Sequence, residues 1–243
     1  KNSIIHLFAE FKSDLNKDSF NKSELSINVE KVSNDTYLKI FDSNIQSILK
    51  PESNNILKSE IKILLENEDY NLESGFISFE DLQKKNSDRY EYVMPYYDFS
   101  KNYSLNNLGT IELTSNGKNN LSNTNNLKTS IINDINLRSN DKIFENYGLK
   151  NNFNIFLKNL NTLGKNDPKY KESVQSQLMG MFEMQSSIPL NKIDEKYNYL
   201  FTPKISFRVS PFNMKNYSDA NREINTDNIF NSNRIGINDS YEE

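Results

Sequence analysis

Apolar and polar residues alternate with a period of two along most of this chain. Between Tyr147 and Leu157, one side carries Tyr147, Leu149, Phe153, Ile155 and Leu157, and the other carries Gly148, Lys150, Asn152 and Asn154. Asn151 and Phe156 are the two exceptions. Successive side chains of a strand point to opposite faces, so this pattern predicts a strand with one face in an apolar medium and the other in water. Leu25, Ile27 and Val29 alternate with Ser26, Asn28 and Glu30, and Ile61, Ile63 and Leu65 with Glu60, Lys62 and, imperfectly, Leu64. Val174, Leu178, Phe182, Met184 and Ile188 oppose Gln175, Gln177, Glu183 and Gln185. Phe201, Ile205, Phe207 and Val209 oppose Thr202, Lys204, Ser206 and Arg208. About ten such segments are predicted, near 4–14, 22–33, 56–66, 70–82, 89–99, 108–116, 127–139, 146–161, 173–189 and 198–210. The expected fold is all-β.

The connections agree with antiparallel, up-and-down strands. Glu66-Asn67-Glu68-Asp69 and Asn116-Gly117 have tight-turn chemistry, because Asn and Asp tolerate positive φ and Gly adopts it freely. Asn116 to Asn126 reads as a polar loop, and so does Asn213 to Asn228. A longer connection runs from Ser33 to Asn55, with a short helical turn expected over Tyr37–Phe41. No domain boundary or repeat interrupts the series, so residues 1–243 read as one domain.

Two architectures share this alternation. A soluble β-sandwich turns its apolar faces inward, whereas an outer-membrane barrel turns them toward lipid and keeps a polar lumen. Strand length favours the barrel. A tilted strand needs roughly 9–11 residues to cross a bilayer, against about 5–6 in most globular strands. Several segments here reach that length. Only 35% of the chain is hydrophobic, which suits a wet interior better than a packed core. Tyr90, Tyr92, Tyr96, Tyr97 and Phe99 fit an interfacial aromatic girdle, although tyrosine also favours strands for packing reasons alone. Lys150, Lys204 and Arg208 fall on polar faces, which avoids the roughly 2–4 kcal/mol cost of a mid-bilayer cation facing lipid.

Composition removes other classes. The chain has 40 Asn, two Ala and no Cys, which argues against a helical bundle and excludes disulfides, thiolate catalysis and cysteine-held metals. A net charge of -4 disfavours nucleic acid. No apolar run is long enough for a transmembrane helix. His6 is the single histidine and has no catalytic constellation around it, so no enzyme, cofactor or metal site is expected.

The last thirty-odd residues are more specific. Phe201-Thr202-Pro203-Lys204-Ile205-Ser206-Phe207-Arg208-Val209-Ser210-Pro211 is a strand ending in Ser-Pro, followed after a polar loop by Asn228-Ile229-Phe230, Arg234, Asp239 and Glu242. Upstream, Val32-Ser33-Asn34-Asp35-Thr36-Tyr37-Leu38 precedes a strand that starts Leu57-Lys58-Ser59. Both stretches resemble the barrel domain of the LptD family of outer-membrane lipopolysaccharide-assembly proteins. The chain departs from the family pattern at Asn34, Ile237, Ser240 and Glu243.

The resemblance implies a partial transmembrane β-barrel in a Gram-negative outer membrane: an open antiparallel sheet lacking the periplasmic N-terminal domain, the first gate strands and the closing C-terminal strands. It implies lipopolysaccharide as cargo, an LptE-type plug lipoprotein and a periplasmic bridge protein as partners, outer-membrane lipid as surroundings, and no covalent chemistry. Residues expected to line the lumen are Lys150, Asn152, Asn154, Lys204, Ser206 and Arg208. Arg234, Asp239 and Glu242 are expected either to form a charged network in the barrel or to sit in an exposed loop. The competing readings are another outer-membrane barrel, such as a porin or receptor, and a soluble β-sandwich for binding or adhesion.

Overall fold

A computed structural model of the protein describes residues 5–211. Its strands are β1 (His6–Asp14), β2 (Lys22–Val32), β3 (Ile56–Asn67), β4 (Tyr70–Asp81), β5 (Tyr90–Ser104), β6 (Gly109–Ser122) and β7 (Asn126–Ser139), then β8 (Lys142–Phe144), β9 (Leu149–Lys165), β10 (Gln175–Ser187), β11 (Leu190–Ile193), β12 (Asn198–Phe201) and β13 (Lys204–Val209). One short helix, α1 (Tyr37–Phe41), interrupts them where a helical turn is expected. The strands form one antiparallel, up-and-down sheet in the order β1-β2-β3-β4-β5-β6-β7-β9-β10-β13, with β8 paired to β9. β11 and β12 make a separate two-stranded hairpin. No helix among the described residues is long and apolar enough to cross a membrane.

The residues group into two compact units. Among the described residues, one comprises 5–101, Ser115–Ile131 and Asn161–Ser176, and the other Asn102–Thr114, Ile132–Leu160 and 177–211.

In the first unit, cross-strand register turns the period-two pattern into rows. Phe11 pairs with Ile27, Ile27 with Ile61, and Ile61 with Phe76, so one apolar row crosses four strands. The next row lies on the opposite face: Lys12 pairs with Ser26, Ser26 with Lys62, and Lys62 with Gly75. Phe11, Ile61 and Phe76 are each about half exposed, at 54%, 47% and 51%. Burial is concentrated at one end of these strands. There Leu38 of α1 is fully buried against Val32, Leu57 and Leu82. Arg89 ties the same end together, pairing with Asp35 and Glu80 at 2.7 Å each, while Lys31 approaches Glu80 to 2.8 Å.

In the second unit, a small core joins Phe156 and Leu160 of β9 to Met179 and Met181 of β10, with Ile132 of β7 against it. Among the described residues of the whole chain, eight hydrophobic side chains are buried and thirty large ones are exposed.

Several expectations need correction. The Asn116-Gly117 turn is absent, because β6 runs on to Ser122. Gly117 serves a close approach: a Cβ there would lie 2.3 Å from the Tyr97 ring, so the ring occupies the space a side chain would need. The turn comes later, where Asn123 and Thr124 take φ of 50° and 59°. β5 likewise extends to Ser104, beyond the expected 99. The expected strand over 198–210 is two strands, β12 and β13, divided at Thr202-Pro203. Proline has no N–H to give a ladder, and the Pro203 carbonyl instead accepts the Ile188 N–H at 3.1 Å. Tyr96 leaves the expected aromatic girdle: it points to the polar face and donates to Glu60 at 2.9 Å, with Glu73 at 3.3 Å.

Candidate functional site

The polar face of the second unit brings together most of the residues marked out by alternation. Antiparallel register between β10 and β13 sets Glu183 opposite Arg208, Gln185 opposite Ser206 and Ser187 opposite Lys204. Glu183 is the hub. Its carboxylate accepts Arg208 Nε at 2.7 Å, Ser206 Oγ at 3.1 Å and Asn154 Nδ2 at 3.0 Å. The Glu183 side chain is 3% exposed and that of Arg208 12%, so charge is held here in a largely water-free setting. Buried charge persists only when paired and hydrogen-bonded, and three donors from two neighbouring strands meet that requirement.

A second cluster lies beside the short strand β8. Lys150 pairs with Asp141 at 2.6 Å, and Asn152 donates to the same carboxylate at 2.9 Å. The Asn152 hydrogen bond, followed by the one from Lys150, holds the Asp141 carboxyl below its ordinary pKa. Further along β9, buried Lys158 pairs with Asp134 of β7 at 2.8 Å.

Thus Asn154, Ser206 and Arg208 converge on one carboxylate, and Lys150 and Asn152 on another. Lys204 shares their face in register with Ser187, but it is exposed. What alternation alone misses is the pair of organising acids. Glu183 falls on the polar side of its segment in the sequence, yet only strand pairing shows that it meets Arg208. Asp141 sits between strands, where a period-two pattern has nothing to say.

The described residues of this face are ion pairs and carboxamides held by one another. Among the described residues, no group of three or more His, Cys, Asp or Glu side chains could hold a metal ion. His6, at the other end of the chain, lies 2.6 Å from the Tyr37 hydroxyl and stacks on Phe8. No protein-family model and no curated protein matches the chain.

The motif residues divide between described and undescribed parts. In the upstream motif, Asn34 Oδ1 accepts the Thr36 N–H at 2.9 Å and the Thr36 hydroxyl at 2.7 Å, a turn an aspartate would close equally well. Asp35 meets Arg89, and Leu38 is the most buried side chain of the adjacent core. In the downstream motif, Pro203 divides β12 from β13, and Pro211 follows Ser210, whose hydroxyl donates to the Gly180 carbonyl at 2.8 Å. Asn228, Phe230, Arg234, Asp239 and Glu242 lie outside the described residues, as does the polar stretch from Asn213 to Asn228.

Proposed function

We propose that this chain is part of an outer-membrane β-barrel of the LptD type, which inserts lipopolysaccharide into the outer leaflet. The observation that carries the membrane reading is the apolar row Phe11–Ile27–Ile61–Phe76, in which Phe11, Ile61 and Phe76 are exposed and Ile27 half-buried, backed by the polar row Lys12–Ser26–Lys62 on the reverse of the same strands. Exposed apolar surface on this scale marks contact with a partner or a membrane. Strands of 11 to 17 residues such as β2, β5 and β9 have the length a tilted bilayer crossing needs. The two motif stretches, around Asp35 and between Pro203 and Glu242, supply the lipopolysaccharide part of the proposal.

On this reading the polar face of the second unit borders a hydrated lumen, through which the sugar-phosphate portion of the cargo passes. Lys150, Asn152, Asn154, Lys204, Ser206 and Arg208 are then lumen-side residues; exposed Lys204 and the Asp141 cluster are within reach of the cargo or an LptE-type plug, while Asn154, Ser206 and Arg208 brace the wall around the desolvated Glu183. The chain acts by positioning and catalyses no bond change. Depleting the protein in its native bacterium tests this. Loss of newly made lipopolysaccharide from the cell surface is expected. Normal surface lipopolysaccharide in depleted cells rejects the export role, and recovery of the full-length protein in the soluble fraction without detergent rejects the barrel itself.

A further inference from the structure

On the apolar face of the second unit, β8, β9 and β10 border an open hollow of about 750 Å3. Phe144, Leu149, Phe153, Phe182 and Met184 supply its greasy lining. Four polar residues also touch it, and each makes a hydrogen bond within the protein, although the Asn152 Oδ1 atom is left without a partner. Ser139 accepts the Phe153 N–H at 2.8 Å, Asn152 donates to Asp141, and Ser186 donates to Asn151. The remaining lining residue is Lys142, the one charged side chain around the hollow. It is exposed and makes no ion pair among the described residues. The adjacent carboxylate, Asp141, is committed to Lys150 and Asn152. The hollow therefore offers apolar volume with a single uncommitted cation at its margin, at the first residue of a three-residue strand.

We propose that this hollow seats one acyl chain of an anionic membrane lipid whose headgroup pairs with Lys142. The proposal rests on the membrane reading above. Hydrocarbon suits the five apolar side chains of the lining, and an ammonium beside the mouth selects negative headgroups over zwitterionic ones. This makes one place on the apolar face selective, whereas the Phe11–Ile27–Ile61–Phe76 row presents no charge and selects nothing.

These 243 residues contain no Trp, so with any Trp elsewhere in the full-length protein replaced by Phe, an introduced Trp reports on its own surroundings. Phe182→Trp places the probe in the hollow, Phe153→Trp provides a second probe there should the first fail to fold, and Ile61→Trp reports on the unselective row. The full-length protein is reconstituted in phosphatidylcholine vesicles containing either brominated phosphatidylglycerol or brominated phosphatidylcholine, and quenching is titrated. In the hollow, phosphatidylglycerol is expected to displace phosphatidylcholine with about fivefold preference, the equivalent of ~1 kcal/mol per lysine near an anionic headgroup. Lys142→Gln removes the preference while quenching by brominated phosphatidylcholine persists. At Ile61→Trp no preference is expected. Equal preference at both places overturns the inference. So does a hollow probe that neither lipid quenches while Ile61→Trp is quenched, because protein then covers the hollow. Absence of quenching at every position instead sinks the membrane reading itself.

Discussion

Replacing Glu183 should damage the protein far more than its formal role as one of many acids suggests. The Glu183–Arg208 contact is 2.7 Å, with side-chain exposures of 3% and 12%. Removing one partner of such a buried pair strands the other and typically costs about 3–5 kcal/mol. Glu183→Met takes away the acceptor of Arg208, Ser206 and Asn154 together. Arg208→Met should cost nearly as much. The double variant, with two apolar side chains facing each other, should recover most of the loss, because two desolvated charges have been exchanged for packing. Lys12–Glu10 is the control: its contact is shorter, 2.6 Å, but the side chains are 56% and 38% exposed. Exposed pairs contribute little because water screens them, so burial and not distance should rank the two. The assay is a double-variant cycle read by urea unfolding of the reconstituted full-length protein. Costs that simply add in the double variant, or a Glu183→Met loss no larger than Glu10→Met, would refute the idea that this hub is desolvated.

Other outcomes follow from single contacts. Leu38→Ala removes a fully buried side chain and should cost about 2–5 kcal/mol, seen as faster proteolysis between Ser33 and Asn55. Gly75→Ala would place a Cβ 2.2 Å from the Ile61 carbonyl and 3.1 Å from Lys62 Cα, both backbone atoms that cannot swing aside. It should destabilise by about 1–3 kcal/mol, whereas Ala at Gly148, where nothing lies within 4 Å and φ is +60°, should cost about 1–2 kcal/mol for the left-handed backbone alone. Because the Asp141 pKa is depressed in the folded protein, its contribution is present above the unfolded value of about 3.9 and lost as pH falls through the lower folded value. Protection of the Lys142–Phe144 amides, taken relative to the intrinsic exchange rate at each pH, should therefore fall on acidification through that range, and Asp141→Asn should show the lower protection already at neutral pH.

The period-two signal was enough to read most of the strands because successive side chains of a strand point to opposite faces. Even its exceptions carried information. Phe156 breaks the pattern because it belongs to the small core with Leu160, Met179 and Met181, and Asn151 breaks it because it meets Ser186 across the strands. What stayed hidden depends on neighbours distant in sequence. Gly117 looks like a turn until the Tyr97 ring is seen lying over it. Pro203 looks like part of a strand until β12 is found pairing backward with β11. Glu183 is one polar residue among several in its segment, and becomes a hub only when β9 and β13 deliver Asn154, Ser206 and Arg208 to it.

The β11–β12 hairpin has a consequence for how this part of the chain can change. Its strands pair Leu190–Ile193 with Asn198–Phe201, and every residue of both is exposed. The Ile188–Pro203 hydrogen bond closes its base, and the ladder resumes at once with Ser187 opposite Lys204. The sheet is thus stitched shut beneath an appendage it does not lean on. Lengthening, shortening or grafting foreign sequence at Asp194–Lys196 would leave the register below it untouched, so this appendage is where such a protein is freest to vary its outline.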